Sequence, residues 1–506
     1  MPLMKSAIWR SLLPFFLILG SLRLGFWLTT FPNPDEAYYW LWGQHPAFSY
    51  YDHPPFQAWI QGLLTAVLGQ SFFSLRLANV FSNGLFLLTY YRITQYLYGP
   101  QGLAALGVAI ALLLAAPLYF LFFALAWHDH WLITFSLLAA FQFIRFLDSY
   151  TATQPGESQR LYQAAVWLGL ALLCKYNAIF VGLGCLGAIA TTPQWRPLLR
   201  DRRLYGAIAL TLCFLVPIVL WNVGNDFQSF RYYVDRSVDD RGFQLKWGQL
   251  LVFLGVSILT VAPVNIWAIA KTIKHPVPLV SPAYRPIALW IFGTSTLALM
   301  VVSLVSAALY YWNITAYLLL FPLFPPLFLS PMTTEAVVEP RYTRPKLILG
   351  AQVYGAVFAA LLVFHYSVLP LSVFASADSD PDSRMLYGWP EVAAAVQQQA
   401  IAAGPNSVLI TTDYRSASAL AYQLNNPQVL AISDRVDQFD FWYDAAQVQG
   451  KNAVILADDW HPLTPAFTAQ FHQTSNPVTI PVKRLGWWVK NYYIVRGDHY
   501  QPPIMK

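Results

Sequence analysis

The sequence predicts a polytopic α-helical membrane protein with a small C-terminal α/β domain outside the bilayer. Its residues are 57% hydrophobic and only 11% charged, whereas charged residues make up about a quarter of an ordinary soluble domain. Apolar runs long enough to cross about 30 Å of hydrocarbon recur as far as residue 371. From Ala375 onward the apolar runs shrink to strand length and polar residues become frequent. We therefore expect a transmembrane domain over 1–371 and an extracytoplasmic α/β domain over 372–506.

The apolar runs correspond to about eleven spans, each about the length that crosses a bilayer or somewhat shorter. They fall near residues 8–30, 76–97, 102–125, 130–147, 161–174, 176–192, 204–223, 248–270, 286–306, 314–331 and 347–371. The fifth and sixth are short and meet at the polar Lys175. Broken helices at membrane depth often mark binding sites.

Lysine and arginine in the short loops predict the orientation. One side of the membrane collects Lys5, Arg10, Arg196, Arg200, Arg202, Arg203, Lys271, Lys274, Arg285, Arg341, Arg344 and Lys346. We expect this side to be cytoplasmic, together with the N-terminus. The loop 31–75, the Trp127–His130 turn, the Asn222–Trp247 loop and the C-terminal domain then lie on the outer face. Because the basic residues are spread between apolar spans, nucleic-acid binding is not expected.

The C-terminal domain shows alternating strand and helix patterns. Strands are expected at Ser407–Thr411, Ala453–Leu456 and Tyr492–Val495, and helices at Trp389–Ala402 and Ser416–Leu424. The sequence contains no internal repeat, glycine-rich phosphate loop or zinc-type cysteine spacing. This domain carries no motif with an evident chemical role.

The outer loop 31–75 places acidic residues among aromatic residues and prolines. Asp35 and Glu36 follow Pro32 and Pro34, which prevent the first span from continuing. Carboxylates at a low-dielectric boundary have raised pKa values, and one of them could accept a proton from a hydroxyl group. The alternative is an acidic interfacial anchor or a helix N-cap.

Two further outer motifs contain histidine next to aspartate. In YYDHPPF, over Tyr50–Phe56, the prolines predict a stiff turn that fixes the directions of Asp52 and His53; a structural turn with a solvated aspartate is the alternative. In WHDHW, over Trp127–Trp131, Asp129 stands between two histidines. Such a triplet could line a polar site, ligate a divalent metal or simply cap a turn, and no metal ligand is assigned from it.

Basic residues near the membrane interior are candidates for binding an anionic lipid head group. Lys175, with Asn177 beside it, interrupts an apolar stretch, and a lysine at the helix centre costs about 2.5–3.5 kcal/mol on insertion scales. Snorkelling to the interface is the alternative. Arg76 and Arg231, both expected near the outer face, could join Lys175 because they run against the general charge bias.

Several of these segments, in order, resemble a known family. The segments PDEAYYW, YYDHPPFQAWI and SLRLANV are followed by HDHWLITF, LLCKYNAIFV, WNVGNDFQSFRYY and YWNITAY, and in the tail by YGWPEVAAAV, DYRSASALAY and DRVDQFDFW. The series resembles the polyprenyl-phosphate-sugar-dependent glycosyltransferases of the GT-C fold. The most similar groups are the aminoarabinose transferases of lipid A and the bacterial relatives of the protein O-mannosyltransferases of family 39.

The resemblance implies roles for particular residues. Asp35 is implied to be the principal acidic residue, as general base or in positioning the acceptor, with Glu36 as its neighbour. Asp52 and Asp129 match further acidic positions, and Lys175 matches a lysine that meets the lipid phosphate, with Arg231 as a second candidate for that phosphate. His53 replaces the usual lysine, which leaves its role and the sugar open. Tyr51, His128, His130 and Arg76 are expected to line the substrate site.

These implications predict a glycosyltransferase of a bacterial inner (plasma) membrane, multi-pass, with no nucleotide site. Its expected partners are a polyprenyl-phosphate-linked (undecaprenyl phosphate) sugar donor, a lipid, glycan or protein acceptor, and membrane lipids. No cofactor is assigned, and a divalent metal stays an alternative. Direct displacement predicts inversion at the anomeric carbon. The alternative is a transporter or flippase of a lipid-linked sugar, which predicts charges along several helices and an internal repeat.

Overall fold

The structure is a computed structural model that describes residues 7–150, 156–237, 245–275, 279–332, 340–376, 379–433, 435–443 and 448–501. The chain forms two compact units. The first comprises Met1–Arg23, His53–Phe56 and Ala78–Ala360, and the second comprises Leu24–Asp52, Gln57–Leu77 and Leu361–Lys506. The second unit therefore joins most of the outer loop 31–75 to the C-terminal residues, a division that differs from a single boundary at residue 371.

The chain is mainly helical, and most of its strands lie in the C-terminal residues, as expected for a helical protein with a C-terminal sheet. The helices are α1 Ala7–Thr29, α2 Pro34–Gln44, α3 Phe56–Leu68, α4 Phe72–Tyr98, α5 Gly102–Leu114, α6 Pro117–Ala124, α7 Asp129–Ser149, α8 Ser158–Cys174, α9 Ile179–Thr191, α10 Arg202–Cys213, α11 Val216–Gly224, α12 Gln228–Ser237, α13 Trp247–Val261, α14 Pro263–Lys274, α15 Tyr284–Val305, α16 Pro325–Phe328, α17 Pro345–Ser367, α18 Pro381–Arg384, α19 Trp389–Ala403, α20 Tyr414–Leu424 and α21 Pro465–Thr468. The strands are β1 Leu329–Ser330, β2 Arg341–Tyr342, β3 Val408–Thr411, β4 Leu430–Ala431, β5 Ala453–Asp458, β6 Phe471–Thr474, β7 Val478–Arg484 and β8 Trp487–Tyr500.

Fewer helices qualify as membrane spans than the sequence predicts. Within the described residues, five are long and apolar enough to cross a bilayer: α1, the stretch Phe72–Leu114, α7, α15 and α17. Two bent pairs, α10 with α11 at 46° and α13 with α14 at 99°, raise the number to as many as seven. The multi-pass helical architecture is confirmed, but the number of eleven spans is not.

The predicted span 314–331 is not a continuous helix. The structure instead has 3₁₀ turns at Tyr310–Tyr317 and Phe321–Leu323, then the single turn α16 and the two-residue strand β1. Prolines explain the interruption, because Pro322, Pro325 and Pro326 each remove a backbone donor and restrict the preceding residue. The same cause operates between α13 and α14, where Pro263 follows Ala262 with φ +78°.

The second unit contains the predicted C-terminal α/β fold. Strands β4, β3, β5, β8 and β6 form one sheet in that order, and β7 also pairs with β8. Strands β3, β4 and β5 are parallel, whereas β8 runs antiparallel to β5, β6 and β7. Ile410, Ile455, Val495 and Phe471 belong to the core on this sheet. All three predicted strands and both predicted helices are present. The sequence did not predict strands β4, β6 and β7, of which β4 has two residues and β7 is largely exposed.

The structure describes most of the predicted Asn222–Trp247 loop, and the first part of this loop is largely helical. Helix α12 occupies Gln228–Ser237. Residues 238–244 of that loop lie outside the described residues. Arg231 lies on α12 and its side chain is exposed.

Candidate functional site

Local sequence fixes the position of Asp35 at the start of α2. Asn33 Oδ1 accepts a hydrogen bond from the Asp35 backbone N–H at 3.1 Å, and Glu36 Oε2 accepts one from the Asn33 N–H at 2.9 Å. This reciprocal pair is a capping box, and Pro34 occupies the first helical position, where its missing N–H costs nothing. Asp35 therefore sits in the first turn, where the helix dipole favours a negative charge.

Glu36 and Arg76 form a buried ion pair behind Asp35. Arg76 Nη2 donates to Glu36 Oε2 at 2.8 Å and Arg76 Nε donates to Glu36 Oε1 at 3.1 Å. Arg76 Nη1 also donates to the carbonyls of Trp27 and Thr30 near the end of α1. Glu36 and Arg76 are 0% and 1% exposed. With its donors occupied, Arg76 connects the end of α1 to the start of α2, so this geometry favours a structural role for the pair over proton transfer or phosphate binding.

The surroundings of the Asp35 carboxyl group shift its ionisation towards neutral pH. Its side chain is partly exposed, and no side chain in the described parts of the chain donates a hydrogen bond to it. Burial raises the pKa of Asp35 to about 7, and the Asp382 carboxylate adds to the increase. The guanidinium groups of Arg415 and Arg435 act in the opposite direction. Its raised pKa makes Asp35 better suited to act as a general base than an ordinary surface aspartate is.

The Asp52 carboxylate accepts hydrogen bonds from two side chains of the second unit. Tyr38 Oη donates to Asp52 Oδ2 at 2.9 Å, and Arg435 Nη2 donates to Asp52 Oδ1 at 2.9 Å. Tyr51, its neighbour in the chain, donates its backbone N–H to Gln438 Oε1 at 2.7 Å and is buried. Asp52 is therefore a buried, hydrogen-bonded carboxylate rather than a solvated one.

The C-terminal residues supply charged groups to this site that no sequence motif predicted. Arg415 donates to Asp413 and Asp382, and its Nη2 lies 2.8 Å from His461 Nε2. The Arg435 guanidinium lies 4.9 Å from the centre of the Tyr414 ring, which is itself 4.7 Å from the Tyr38 ring. The only signal was the resemblance of DYRSASALAY and DRVDQFDFW to the family, because neither segment contains a recognisable catalytic motif.

The first unit contains a second charged group of residues, around Lys175. Lys175 Nζ donates to both oxygens of Asp129, at 3.0 and 3.1 Å, and lies 4.8 Å from the centre of the Tyr311 ring. Both charged side chains are buried. Lys175 has an extended backbone between α8 and the 3₁₀ turn Tyr176–Ala178. Asn177 fixes this turn by donating to the Trp312 carbonyl at 2.9 Å.

The histidines of the WHDHW and YYDHPPF motifs do not converge with Asp129 on one point. The His128 ring lies 4.7 Å from the His53 ring, whereas His130 Nδ1 is 2.7 Å from Ser82 Oγ. Asp129 is engaged with Lys175. Over the part of the chain that the structure describes, no group of three His, Cys, Asp or Glu side chains is arranged to hold a metal ion.

The predicted site residues therefore fall into two groups. Asp35, Glu36, Asp52, Tyr51 and Arg76 belong to the second unit, with Arg415 and Arg435. The other group belongs to the first unit and contains His53, His128, Asp129, His130, Lys175 and Arg231. No hydrogen bond or ion pair among the described residues connects Arg231 to Lys175 or Asp129.

Comparison with known families and curated proteins gives matches to glycosyltransferases. Residues 52–221 match the family model for dolichyl-phosphate-mannose-protein mannosyltransferases. The matched residues make up less than half of the chain. The lipid A galacturonosyltransferase RgtD of Rhizobium johnstonii is 25% identical over 285 residues, which is 56% of this chain and 58% of RgtD. The lipopolysaccharide core galacturonosyltransferase RgtA of the same organism is 28% identical over 38% of this chain and 37% of RgtA. The chain thus covers less than two thirds of either relative.

Comparison with solved structures covers almost the whole chain. The crystal structure of ArnT from Cupriavidus metallidurans bound to undecaprenyl phosphate has a TM-score of 0.63 and 16% sequence identity, covering 96% of this chain and 97% of that chain. The apo form of the same protein has a TM-score of 0.60 and 14% identity. At this level of identity the similarity establishes a shared fold.

Proposed function

We propose that this chain, which has the GT-C fold of the ArnT-like glycosyltransferases, is an integral-membrane enzyme that transfers a sugar from a polyprenyl-phosphate donor to a hydroxyl acceptor. One observation carries the proposal: Asp35 is a partly exposed carboxyl group held in the first turn of α2, where burial raises its pKa to about 7 and Arg415 and Arg435 favour its ionised form. The named activities of RgtD and RgtA support the reaction class.

The proposed reaction is a direct displacement. The acceptor oxygen attacks the anomeric carbon, the bond from that carbon to the phosphate oxygen breaks, and the polyprenyl phosphate leaves with the bonding electrons. Asp35 takes the proton of the acceptor hydroxyl, an effect worth about 10²–10⁴ in rate. The transition state has oxocarbenium character, and a single displacement inverts the anomeric configuration.

Lys175 is proposed to stabilise the negative charge that develops on the leaving phosphate. In the structure Asp129 neutralises this lysine, which avoids the cost of an unpaired buried charge. We therefore assign Asp129 a positioning role, in which its carboxylate orients the Lys175 side chain until a phosphate arrives. Arg231 is a further candidate for phosphate binding, and His53, His128, His130 and Tyr51 are proposed to line the substrate site.

The remaining acidic and basic residues are proposed to position Asp35. Glu36 and Arg76 fix the first turn of α2 through their ion pair and the carbonyl groups of α1. Asp52 holds Arg435, whose positive charge favours the ionised form of Asp35. We propose that the C-terminal residues tune the base as well as being available to select the acceptor.

The proposed setting is a bacterial inner membrane, with a cytoplasmic N-terminus and the site on the outer face. The positive-inside distribution of lysine and arginine supports this orientation. The donor is proposed to be a sugar on undecaprenyl phosphate, and the acceptor a lipid, glycan or protein hydroxyl.

The test is to supply the purified protein in lipid nanodiscs with undecaprenyl-phosphate sugars that differ in charge. The set includes an aminopentose, a neutral hexose and a hexuronic acid, each with a lipid A acceptor. We expect one donor to be consumed with release of undecaprenyl phosphate and formation of a glycosylated product. In proteoliposomes, movement of an intact donor across the bilayer without release of undecaprenyl phosphate would instead support the transporter.

A further inference from the structure

The turn between β7 and β8 has a backbone conformation that is unusual for its sequence. Arg484 pairs with Trp487, so Leu485 and Gly486 form a two-residue hairpin turn. Both central residues have positive φ, at 50° for Leu485 and 83° for Gly486. Such turns favour Asn-Gly or Asp-Gly, because leucine rarely adopts this conformation. The presence of leucine there requires a reason other than local backbone preference.

The side chains at this turn combine exposed apolar surface with positive charge. Leu485 is 70% exposed and Trp487 is 50% exposed. Lys483 is exposed and Arg484 is partly exposed on the adjoining strand. Tryptophan beside basic residues is typical of the membrane–water interface, where the ring lies among head groups and the cations meet anionic lipids.

The hairpin is attached to the residues at which α17 ends. The Trp487 ring packs edge-on against Phe374, with ring centroids 5.0 Å apart. The Arg484 guanidinium lies 5.8 Å from the centre of the Tyr387 ring, and Tyr387 Oη donates to the His365 carbonyl in the last turn of α17 at 2.6 Å.

The base of the hairpin also lies close to Gly388 and to the ends of α1 and α17. Gly388 has φ +90°, and a Cβ there would lie 2.4 Å from a methyl carbon of Val482 on β7. Arg484 lines one cavity with Thr29 and Ser367, the last residues of α1 and α17. Because α1 and α17 are both long and apolar enough to cross a membrane, we expect this side of the hairpin to lie where both helices leave the bilayer.

We propose that the tip Lys483–Trp488 is an interfacial anchor, which inserts Leu485 and Trp487 into the lipid leaflet at which α1 and α17 end. Lys483 and Arg484 then contact anionic head groups of that leaflet. The exposed side chains of Phe374 and Val368, which follow α17 closely, continue the same apolar surface. The partner is the lipid surface, and the anchor fixes the height of the C-terminal sheet above it.

The test measures the depth of the tip directly, without any sugar donor. The full-length protein carries Cys213→Ala, since Cys213 is exposed while Cys174 and Cys185 are buried. A nitroxide spin label is attached at Leu485→Cys, and separately at Trp487→Cys in case the first variant does not fold. The matched control is Ile401→Cys, because Ile401 is 83% exposed in the last turn of α19. Each protein is reconstituted into phosphatidylcholine vesicles with and without phosphatidylglycerol.

We expect the labels at 485 and 487 to be more accessible to oxygen than to a water-soluble nickel chelate, and the label at 401 to show the reverse. We also expect the tip labels to lie deeper in the vesicles with phosphatidylglycerol, a difference that Lys483→Ser with Arg484→Ser removes. Tip labels as accessible to the nickel chelate as the label at 401 would overturn the proposal. Equal depth in both kinds of vesicle would overturn the role of Lys483 and Arg484. Neither outcome depends on sugar transfer.

Discussion

Arg435 and Asp52 are 383 residues apart in the chain, and Arg435 Nη2 donates a hydrogen bond to Asp52 Oδ1 over 2.9 Å. The Arg435 side chain is 46% exposed, so the pair is worth at most about 1 kcal/mol of folding stability. The pair also acts on the ionisation of Asp35: burial raises the pKa of Asp35 most, the Asp52 carboxylate adds to the increase, and Arg435 opposes it. A residue near the end of the chain thereby influences the ionisation of one near its beginning.

Replacing Arg435 by glutamine should therefore change the pH dependence of transfer more than it changes stability. Without the positive charge, the pKa of Asp35 rises and the rising limb of the rate profile moves to higher pH. Initial rates between about pH 5.5 and 9 measure this shift, and the melting temperature should stay close to that of the original protein. Arg496→Gln, an exposed change on β8, is the matched control. A profile that coincides with the control would remove Arg435 from the account.

The unaltered protein should show a rate that rises with pH through about 7. A general base works only when deprotonated, and burial raises the pKa of Asp35 to about 7; below this pH the ionised fraction falls tenfold per unit. Asp382→Asn removes a negative charge that raises the same pKa, so the midpoint should move to lower pH, opposite to Arg435→Gln. Shifts of the same sign in both variants would show that these charges do not act on the base.

Variants of the Lys175–Asp129 pair should distinguish its contribution to stability from its contribution to phosphate binding. Lys175→Met leaves the buried Asp129 carboxylate unpaired, so it should cost about 3–5 kcal/mol of stability. Adding Asp129→Leu should restore most of that loss, because an apolar pair of similar volume replaces a buried ion pair at little cost. Thermal unfolding in detergent measures both effects. Donor affinity should stay low in the stable double variant; recovery of donor binding there would exclude Lys175 as the phosphate ligand.

Arg76→Lys should lower the melting temperature without weakening donor binding in the folded fraction. Lysine cannot reproduce the planar fork that Arg76 directs at Glu36 and at the α1 carbonyls. Glu36→Gln should act in the same direction by leaving Arg76 without its counter-charge. Arg92→Lys, an exposed change on the same helix, is the control. A raised KM for the donor at unchanged melting temperature would return Arg76 to the phosphate site.

The sequence predicted which helices and strands are present better than it predicted where a helix is interrupted. Apolar runs bounded by proline and polar residues located α1, α7, α15 and α17, and alternating patterns located β3, β5 and α19. The predicted span 314–331 failed because hydropathy averages over prolines that interrupt the helix. The strands β6 and β7 escaped because exposed strands on an edge lack an apolar signature.

At the candidate site, the sequence predicted several of the residues but not the contacts between them. Motif order pointed to Asp35, Asp52, Asp129 and Lys175, but not to which charges pair. The partners of Glu36 and Lys175 lie 40 and 46 residues away, and no period in the sequence encodes such contacts. Arg435 was missed for the same reason, since only packing of the C-terminal residues brings it to Asp52.

The central claim, that Asp35 is the base of a sugar transfer, is tested most directly by Asp35→Asn. The measurement is release of undecaprenyl phosphate from the donor that the protein consumes, by the full-length variant in nanodiscs, beside the exposed control Asp498→Asn. We predict that Asp35→Asn keeps its melting temperature and loses at least about 100-fold in rate, while Asp498→Asn keeps full activity. Full activity of folded Asp35→Asn would contradict the account.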